Sequence, residues 1–347
     1  MNDAWVGKRV LITGVCGTVG RELLSQLSSA GPVEIIGIDN NETELFFLSQ
    51  EYSGKHFIRL FLGDVRDASM LARMTAGINI VIHAAALKHV ILCEQAPRDA
   101  VQTNILGVQN VIDAALANQV ERVVFTSSDK AVNPTNVMGT SKLMGERLMT
   151  AANALRRGEG PVFTSTRFGN ILGSRGSVIP LFTRQIAAGG PVTLTNPTMT
   201  RFIMTLKEAV ELTLNSVFMG RGGEVFVTKM KVVRILDMAE VMIEQMAPKF
   251  GKNPKDINLT VTGVKPGEKL YEELVNEEET RRTLELEKYF AVLPAFKSIY
   301  ENIDYTYTGV VTCAGINSPY NSSVERPMSK QDLADYMATH NLLSAEV

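Results

Sequence analysis

The first half of the chain alternates short apolar runs with longer amphipathic segments, and this alternation limits the possible folds. Runs rich in Val, Ile and Leu predict buried strands, and apolar residues at helical spacing predict helices between them. Such alternation is typical of a parallel sheet covered by helices on both faces. We therefore predict an α/β, doubly wound fold. The predicted strands are 9–13, 33–38, 57–62, 80–82, 122–126 and 162–166, and helices begin near residues 18, 98 and 138.

The pattern changes after Arg167, where glycine and proline become frequent and the predicted elements become shorter. We predict a main domain over residues 1–170 and a smaller C-terminal, substrate-binding lobe over residues 171–347. A predicted strand at 224–228 is expected to return to the main sheet. The segment 329–342 predicts a helix with Ser329 as its N-cap and Asp332 three residues later.

Composition excludes several classes of protein. Among 347 residues, 45% are hydrophobic and the net charge is −2, so no global basic field attracts nucleic acid. The three cysteines show neither paired nor CxxC spacing, which predicts no disulfide framework and no metal site and fits the cytoplasm. The N-terminus has no signal-peptide pattern, and the longest apolar stretch, 78–93, is interrupted by polar residues. We expect no membrane segment.

A glycine-rich loop joins the first predicted strand to the first predicted helix. Gly14, Gly17 and Gly20 follow a GxxGxxG spacing and enclose Thr18 and Val19. Glycines allow the backbone to turn sharply and to approach a pyrophosphate, whose charge suits a helix N-terminus. A lone glycine pattern is often a plain turn, but the strand before it and the helix after it indicate a dinucleotide site of the Rossmann type.

An acidic residue at the end of the second strand indicates which dinucleotide is bound. Asp39 lies nineteen residues after Gly20. A carboxylate there binds the adenosine ribose hydroxyls and repels a 2′-phosphate. We therefore expect NAD as the cofactor in preference to NADP.

Two further segments end predicted strands at the same edge of the sheet. Asp64 and Val65 follow the third strand, and Ala84, Ala85 and Ala86 follow the fourth. Asp64 is a candidate acceptor for the adenine amino group, and the small alanines would let the backbone approach the dinucleotide. A turn aspartate and tight packing explain these residues equally well one at a time.

The fifth strand ends in Thr-Ser-Ser-Asp-Lys-Ala-Val-Asn-Pro, residues 126–134, and the next helix begins near Met-Gly-Thr-Ser-Lys, residues 138–142. Together these segments resemble the extended short-chain dehydrogenases/reductases, and within them the UDP-N-acetylglucosamine 4,6-dehydratases of polysaccharide biosynthesis. The resemblance extends from the glycine loop to at least Glu273. It implies an NAD-dependent lyase that acts on a UDP-sugar and assembles as a homo-oligomer through the long helices near 98–118 and 138–155.

Other segments agree with that resemblance. They are residues 86–90 with Glu94, residues 167–170, residues 200–202 and residues 265–270. By resemblance, the residues that would bind the substrate are Lys88, His89, Asn170, Arg201 and Lys269. An arginine or lysine among these, taken alone, is more simply a solvated surface residue.

One position departs from the superfamily pattern. Its active-site helix usually carries Tyr-x-x-x-Lys, and here Met138 occupies the tyrosine position, four residues before Lys142. Methionine has no proton to give, so it cannot deprotonate a sugar hydroxyl. Some dehydratases of this branch share the methionine, which supports the branch and argues against ordinary epimerases. Core packing is the plain alternative for a helical methionine.

These residues suggest a mechanism. Ser128 binds the C4 oxygen, and Lys142 holds the nicotinamide ribose. Asp129, or a relayed water, accepts the C4 hydroxyl proton in place of the missing tyrosine, and Asp129 later protonates the C6 hydroxyl. Lys130 removes the C5 proton and must be neutral to do so, which Lys142 and the nicotinamide charge would favour by like-charge repulsion. The Met138 motif and the NAD preference favour retention at C5.

Three alternatives remain. A C5-inverting dehydratase shares the fold and the motifs. A nucleotide-sugar 4-epimerase is disfavoured by Met138. A non-catalytic NAD sensor or scaffold belongs to another class of protein, and the presence of the polar cluster at Ser128, Asp129, Lys130 and Lys142 argues against it.

Overall fold

The computed structural model describes residues 2–155, 160–174, 176–264, 266–296, 299, 303–312 and 315–343. Lys265 and Cys313 lie outside the described residues. The strands are β1 Arg9–Thr13, β2 Glu34–Asp39, β3 Ile58–Leu62, β4 Ile80–His83, β5 Arg122–Ser128, β6 Val162–Phe168, β7 Asn170–Ile171, β8 Val192–Leu194, β9 Thr200–Met204, β10 Val225–Thr228, β11 Lys231–Arg234, β12 Leu259–Val261, β13 Glu273–Val275, β14 Thr283–Leu286, β15 Tyr289–Val292, β16 Val310–Thr312 and β17 Tyr320–Asn321. The α-helices are α1 Thr18–Leu27, α2 Glu42–Glu51, α3 Ala68–Met74, α4 Val90–Gln95, α5 Pro97–Val101, α6 Gly107–Ala117, α7 Val137–Ala152, α8 Val178–Ala188, α9 Leu206–Met219, α10 Ile235–Met246, α11 Glu277–Thr280 and α12 Lys330–Thr339.

A large central sheet has the strand order β16-β14-β15-β10-β6-β5-β4-β1-β2-β3. From β10 to β3 all neighbours are parallel, and β15, β14 and β16 extend the sheet antiparallel. Thr13 pairs with both Ile38 and His83, and His83 pairs with Phe125, so these strands end at one edge. This confirms the predicted α/β fold with a doubly wound, mostly parallel sheet.

Alternate side chains of the strands feed two separate cores. Leu11 packs with α3, α6 and α7 on one face, and Val10 and Ile12 pack with α1, α2 and α9 on the other. Leu23, Leu24 and Leu27 of α1 are completely buried, as the helical spacing predicts. Truncating any one of these leucines to alanine would cost about 2–5 kcal/mol. Both cores fix the strand ends from which the site is built.

Part of the chain after residue 170 belongs to the main sheet. Strand β10 pairs with β6, as predicted for 224–228, and α9 packs on the face that also carries α1. A third core lies among α8, α10 and α12. The side chain of Ser329 accepts from the Asp332 amide and caps α12, as predicted. The division into two domains at residue 170 stays a prediction.

The long helix predicted over 98–118 runs as α5, a π-helical turn at Gln102–Leu106, and α6. Asn104 lies in the π turn and is buried. Its side chain accepts from the Leu87 amide at 2.8 Å and donates to the Leu87 carbonyl at 2.9 Å and to Ser141 at 2.9 Å. A π turn often marks a functional region of a helix. Here it ties the segment after β4 to α7.

Candidate active site

A cleft of about 760 Å³ lies at the carboxyl ends of the parallel strands. Parallel sheets bind their ligands at this edge, where loops from both halves of the sheet meet. Its lining includes residues at the ends of β1, β4, β5 and β6, residues of β9 and α10, residues 266–269 and Glu272. Of the predicted site residues, the following line it: Gly14, Gly17, Thr18, Val19, Gly20, Ala84, Ala86, Lys88, His89, Ser128, Asp129, Lys130, Met138, Lys142, Asn170, Arg201 and Lys269.

The glycine loop is shaped for close backbone contact. Gly14 has φ +72°, and a Cβ there would lie 2.7 Å from Ala85 Cα. A Cβ on Gly20 would lie 2.1 Å from the Gly14 carbonyl oxygen, so α1 could not pack against the loop with any larger residue. Gly17 is the N-cap of α1. Because glycine has no side chain, no side-chain oxygen of the N-cap residue accepts a hydrogen bond from the first amides of the helix. Amides at a helix N-terminus suit an anion such as a diphosphate.

The acidic residues beside the cofactor loop are held by local bonds. Asp39 accepts from the Cys16 amide at 2.9 Å and the Asn41 amide at 3.0 Å, so it braces the glycine loop. Asp64 binds the Arg66 guanidinium at 2.9 and 2.6 Å, and this pairing lowers the pKa of Asp64 to about 2. Neither carboxylate lines the cleft.

Two other predicted cofactor residues lie behind the cleft wall. Val65 is buried against Gly107, whose Cβ would meet Val65 at 2.8 Å. Ala85 backs Gly14, and its amide donates to the Thr13 hydroxyl at 3.3 Å. Ala84 and Ala86, on either side of Ala85, line the cleft. The structure thus separates residues that face the cleft from residues that support its wall.

The end of β5 carries the predicted catalytic cluster. The Ser128 hydroxyl donates to Asp129 Oδ1 at 2.6 Å, and the Lys130 amide donates to the same oxygen at 2.9 Å. Lys130 Nζ lies 3.1 Å from that oxygen. Asp129 is 1% exposed, and its Oδ2 is buried with no hydrogen-bond partner among the described residues. The sequence-predicted acid and amine therefore meet in one buried cluster that faces the cleft.

The sequence reasoning missed a second carboxylate in this cluster. Glu272 Oε1 lies 3.6 Å from Lys130 Nζ and 3.6 Å from Arg201 Nε. Its Oε2 is buried and has no hydrogen-bond partner among the described residues. Burial, and then the nearby Asp129 charge, raise the pKa of Glu272. The available signal was the Gly-Glu-Lys-Leu segment at residues 267–270, which ends just before Glu272.

The charge state of Lys130 differs from the sequence-based hypothesis. Burial opposes its positive charge, but the carboxylates of Asp129 and Glu272 outweigh burial and raise the pKa of Lys130. A raised pKa favours the ammonium form, whereas a base must be neutral. The amine therefore needs a group that takes its proton.

Lys142 and Met138 face the cleft from one side of α7. Lys142 Nζ donates to the Thr126 carbonyl at 2.9 Å and lies 4.6 Å from the centre of the Phe125 ring. Burial lowers the pKa of Lys142 to about 8. Met138 is buried and packs with Cys93 and Ala100. Position 138 therefore carries a thioether in place of a tyrosine hydroxyl.

The predicted substrate residues fall into two groups. Lys88, His89 and Asn170 line the cleft. Arg201 is buried and donates to the Thr200 carbonyl at 2.7 Å and the Lys269 carbonyl at 2.8 Å, in addition to its pairing with Glu272. Lys269 Nζ donates to the Val132 carbonyl at 2.7 Å. Lys269 therefore ties its loop to the end of the catalytic turn, Arg201 braces that loop, and both residues also line the cleft.

The described part of the chain contains neither a membrane-spanning helix nor a cluster of metal ligands. None of its helices is long and apolar enough to cross a bilayer. No group of three or more His, Cys, Asp or Glu side chains within the described ranges is placed to hold a metal ion.

Known proteins resemble this chain over most of its length. It is 50% identical over 294 residues to an uncharacterized membrane protein of Methanocaldococcus jannaschii, which covers 85% of this chain and 88% of that protein. It is 35% identical to a UDP-N-acetylglucosamine 4,6-dehydratase (inverting) of Campylobacter jejuni, covering 86% and 87%. It is 34% identical to a UDP-glucose 4-epimerase of Rickettsia canadensis, covering 99% of both chains. The chain spans 47% of CapD, a capsular polysaccharide biosynthesis protein of Staphylococcus aureus that is 42% identical to it.

Solved structures show the same fold. The X-ray structure of Pen from Bacillus thuringiensis superposes with a TM-score of 0.90 at 38% identity, covering 98% of this chain and 99% of Pen. DesIV, a dTDP-glucose 4,6-dehydratase of Streptomyces venezuelae solved with NAD and TYD, gives a TM-score of 0.65 at 22% identity, covering 76% and 86%. The second likeness supports the Rossmann-type fold alone. The sequence profile of the family described as polysaccharide biosynthesis protein matches residues 10–294, and the chain belongs to that family.

Proposed function

We propose that this protein is an NAD-dependent UDP-N-acetylglucosamine 4,6-dehydratase, a hydro-lyase that forms a UDP-2-acetamido-2,6-dideoxy-hexos-4-ulose. One observation carries the proposal: a buried carboxylate, Asp129, and an amine, Lys130, lie 3.1 Å apart in a cleft that also contains an open helix N-terminus. Elimination of water next to a ketone needs an acid and a base in this proximity. The dehydratase names of the Campylobacter jejuni relatives agree with it.

The cofactor fits the residues that are present. The amides at the start of α1 would hold its diphosphate, and Asp39, beside the loop, favours NAD over NADP by its negative charge. Lys142, which lines the cleft, would bind the nicotinamide ribose. When bound, NAD supplies a reversible hydride acceptor, so that hydride lost at C4 can return at C6.

Each proton transfer is assigned to a residue of the chain. Ser128 would donate to the C4 oxygen, and Asp129 would take the C4 hydroxyl proton because position 138 has no hydroxyl. Lys130 would remove the C5 proton, which the C4 ketone has made acidic. Asp129 would then give its proton to the C6 hydroxyl, which leaves as water. These roles follow the rule that neighbouring titrating groups in different environments take opposite parts.

Stereochemistry at C5 is a separate part of the proposal. If Lys130 both removes and returns the C5 proton, it does so on one face of the ring and the product keeps its configuration. The Met138 motif favours that retention, whereas the Campylobacter jejuni dehydratases are named as inverting. Inversion would require a second acid on the opposite face. NMR coupling constants of the fresh product distinguish the two.

A 4-epimerase is the second candidate, because Rickettsia relatives of similar identity carry that name. Met138 argues against it, since the usual epimerase relies on a tyrosine at this position. Incubation with UDP-N-acetylglucosamine, and separately with UDP-glucose, tests both. A 4-keto-6-deoxy product from the first supports the proposal, and a C4 epimer from either sugar contradicts it.

We also propose that the protein acts in the cytoplasm as a homo-oligomer built on the helices around 98–118 and 138–155. Large apolar side chains are exposed on this side of the molecule, which supports a partner surface. They are Ile91, Leu92, Val101, Leu106 and Met144. Light scattering on the purified protein measures the assembly, and a monomer at micromolar concentration would contradict the proposal.

A further inference from the structure

This inference rests on the proposed dehydration. In that reaction the proton on the Lys130 ammonium has no acceptor among the residues assigned so far. At the elimination step Asp129 must be protonated and Lys130 must be neutral. Asp129 holds the proton from the C4 hydroxyl, so it cannot also take the proton that Lys130 loses. Two groups cannot meet these demands when the amine begins as an ammonium ion. A third group that accepts a proton from Lys130 is therefore needed.

Glu272 is placed to be that group. It lines the same cleft as Lys130, and its Oε1 lies 3.6 Å from Lys130 Nζ. Its Oε2 is buried and has no hydrogen-bond partner among the described residues. The charged groups that act on Glu272 are Asp129, Lys130, Arg201 and Lys269.

The backbone and side chain of Glu272 are fixed from two sides. Its amide donates to the Ser322 hydroxyl at 2.9 Å, and the Ser322 amide donates to its carbonyl at 2.9 Å. Arg201 Nε lies 3.6 Å from Oε1, while the other Arg201 nitrogens bond backbone carbonyls. The carboxylate is thus held in place even when Lys130 moves.

We propose that Glu272 is a positioning residue that stores the Lys130 proton during each turnover. When Asp129 takes the C4 hydroxyl proton, it loses the negative charge that holds the ammonium. Lys130 then shifts from Asp129 towards Glu272, an N–H bond breaks and an O–H bond forms on the Glu272 carboxyl. The neutral amine removes the C5 proton and later returns one to C5. Glu272 finally gives its proton back to Lys130, so no proton is gained or lost.

Two further features support the transfer. The Lys130 side chain is 29% exposed at the cleft, so it has room to swing between the two carboxylates. The raised pKa of Glu272, caused first by burial, reduces the cost of protonating it near neutral pH.

Three variants test the inference: Glu272→Gln, which cannot take a proton, Glu272→Asp, and Glu277→Gln as a control for an exposed carboxylate on the same segment. The pH dependence of kcat for UDP-N-acetylglucosamine dehydration is measured for each. We expect Glu272→Gln to lose about 100-fold in kcat with a similar KM. Its kcat should rise with pH from about 7 to 9, because Lys130 must release its proton to solvent. Wild type and Glu277→Gln should stay flat, and Glu272→Asp should keep part of the activity with a flat profile.

A second measurement uses the protein without substrate. The pH dependence of Lys130 acylation, followed by peptide mass spectrometry, reports its pKa. Removing the Glu272 charge should shift the reaction of Lys130 to lower pH, since one carboxylate that stabilises the ammonium is gone.

The outcomes separate this inference from the proposed function. Wild-type protein that leaves UDP-N-acetylglucosamine unchanged overturns both. Active wild type with a Glu272→Gln variant of unchanged kcat overturns this inference alone. So does a Glu272→Gln variant that loses activity but keeps a flat pH profile and an unshifted Lys130 reaction, because that pattern is a structural loss.

Discussion

The backbone of Gly139 lies so close to Lys130 that a Cβ on Gly139 would sit 2.2 Å from the Lys130 carbonyl oxygen. The first turn of α7 therefore packs directly on the turn that carries Asp129 and Lys130. Since α7 also carries Lys142, one close contact sets the distance between the catalytic turn and the helix lysine.

This contact predicts the effect of Gly139→Ala. The added methyl group must push α7 away from the catalytic turn, which would cost about 1–3 kcal/mol of the free energy of unfolding. Turnover should fall more than stability explains, because Lys130 moves relative to Lys142. Denaturant unfolding and kcat measure the two effects. Gly54→Ala, at a site with open space around it, is the control. If Gly139→Ala and Gly54→Ala have the same free energy of unfolding and the same kcat, the contact between Gly139 and Lys130 does not set the geometry of the site.

Substitution of the acid or the amine should separate chemistry from cofactor binding. We expect Asp129→Asn and Lys130→Ala each to lower kcat by about 10²–10⁴-fold, because each removes one proton transfer. Affinity for NAD, measured by calorimetry, should stay within a few-fold of wild type, since the diphosphate site lies at α1. Lys255→Ala, an exposed lysine, controls for the loss of a positive charge. Near-normal product formation by either active-site variant would refute the assigned roles.

Burial of Lys142 predicts a pH dependence of stability. Its pKa is about 8 in the folded protein, against an ordinary lysine value of 10.5, so between these values the unfolded chain binds the extra proton. Stability from this group therefore rises as pH increases from 8 to 10.5 and is lost as pH falls back. The free energy of unfolding of wild type minus that of Lys142→Met should therefore rise by about 3 kcal/mol from pH 8 to pH 10.5. A constant difference would contradict a lowered pKa of Lys142.

The buried ion pairs of Arg167 predict a large stability effect. Arg167 binds Glu146 at 2.9 and 2.7 Å and Glu279 at 2.7 and 2.8 Å, which joins α7 to α11. Arg167→Met removes the bidentate partner of both buried carboxylates and leaves Glu279 only the longer contact with Arg282 at 3.5 Å, so it should cost about 3–5 kcal/mol at neutral pH.

Lowering the pH should reduce the loss in free energy of unfolding that Arg167→Met causes. Burial raises the pKa of Glu279, but Arg167 outweighs burial and lowers it. Without Arg167 the Glu279 carboxyl would take up a proton at a higher pH and so lose a buried negative charge that Arg282 alone pairs less closely. Denaturant unfolding between pH 7 and 4 measures the trend, with exposed Arg59→Ala as the control. A stability loss of Arg167→Met that increases as the pH falls would contradict the role given to the Arg167–Glu279 pair.

Local sequence signals predicted the elements that carry the site. The glycine spacing, the strand end at Ser128 and the helix spacing from Met138 to Lys142 are short-range patterns, and the structure places all three at one cleft. Such patterns predict well because strand ends of a parallel sheet meet at a common edge.

Long-range pairings could not be predicted in this way. Glu272 reaches Lys130 from 142 residues away, and no local pattern in the sequence connects them. Arg201 is expected to bind substrate by resemblance and to lie at the surface by residue type alone, and in the structure it is buried and bonds the Lys269 carbonyl. Asp64 looked available to a ligand, yet Arg66, two residues later, engages both of its oxygens. The Glu272 and Arg201 contacts join distant parts of the chain, and the Asp64 contact is a local ion pair that takes both oxygens of a turn aspartate.

The central claim is that one site moves a hydride from C4 to C6 of the same sugar while water leaves. Incubating the protein with UDP-N-acetylglucosamine that carries deuterium at C4, followed by NMR and mass spectrometry of the product, tests it directly. The account predicts a 4-keto-6-deoxy product with the deuterium at C6 and the loss of one water. Unchanged substrate, or an epimer that keeps its deuterium at C4, would contradict it.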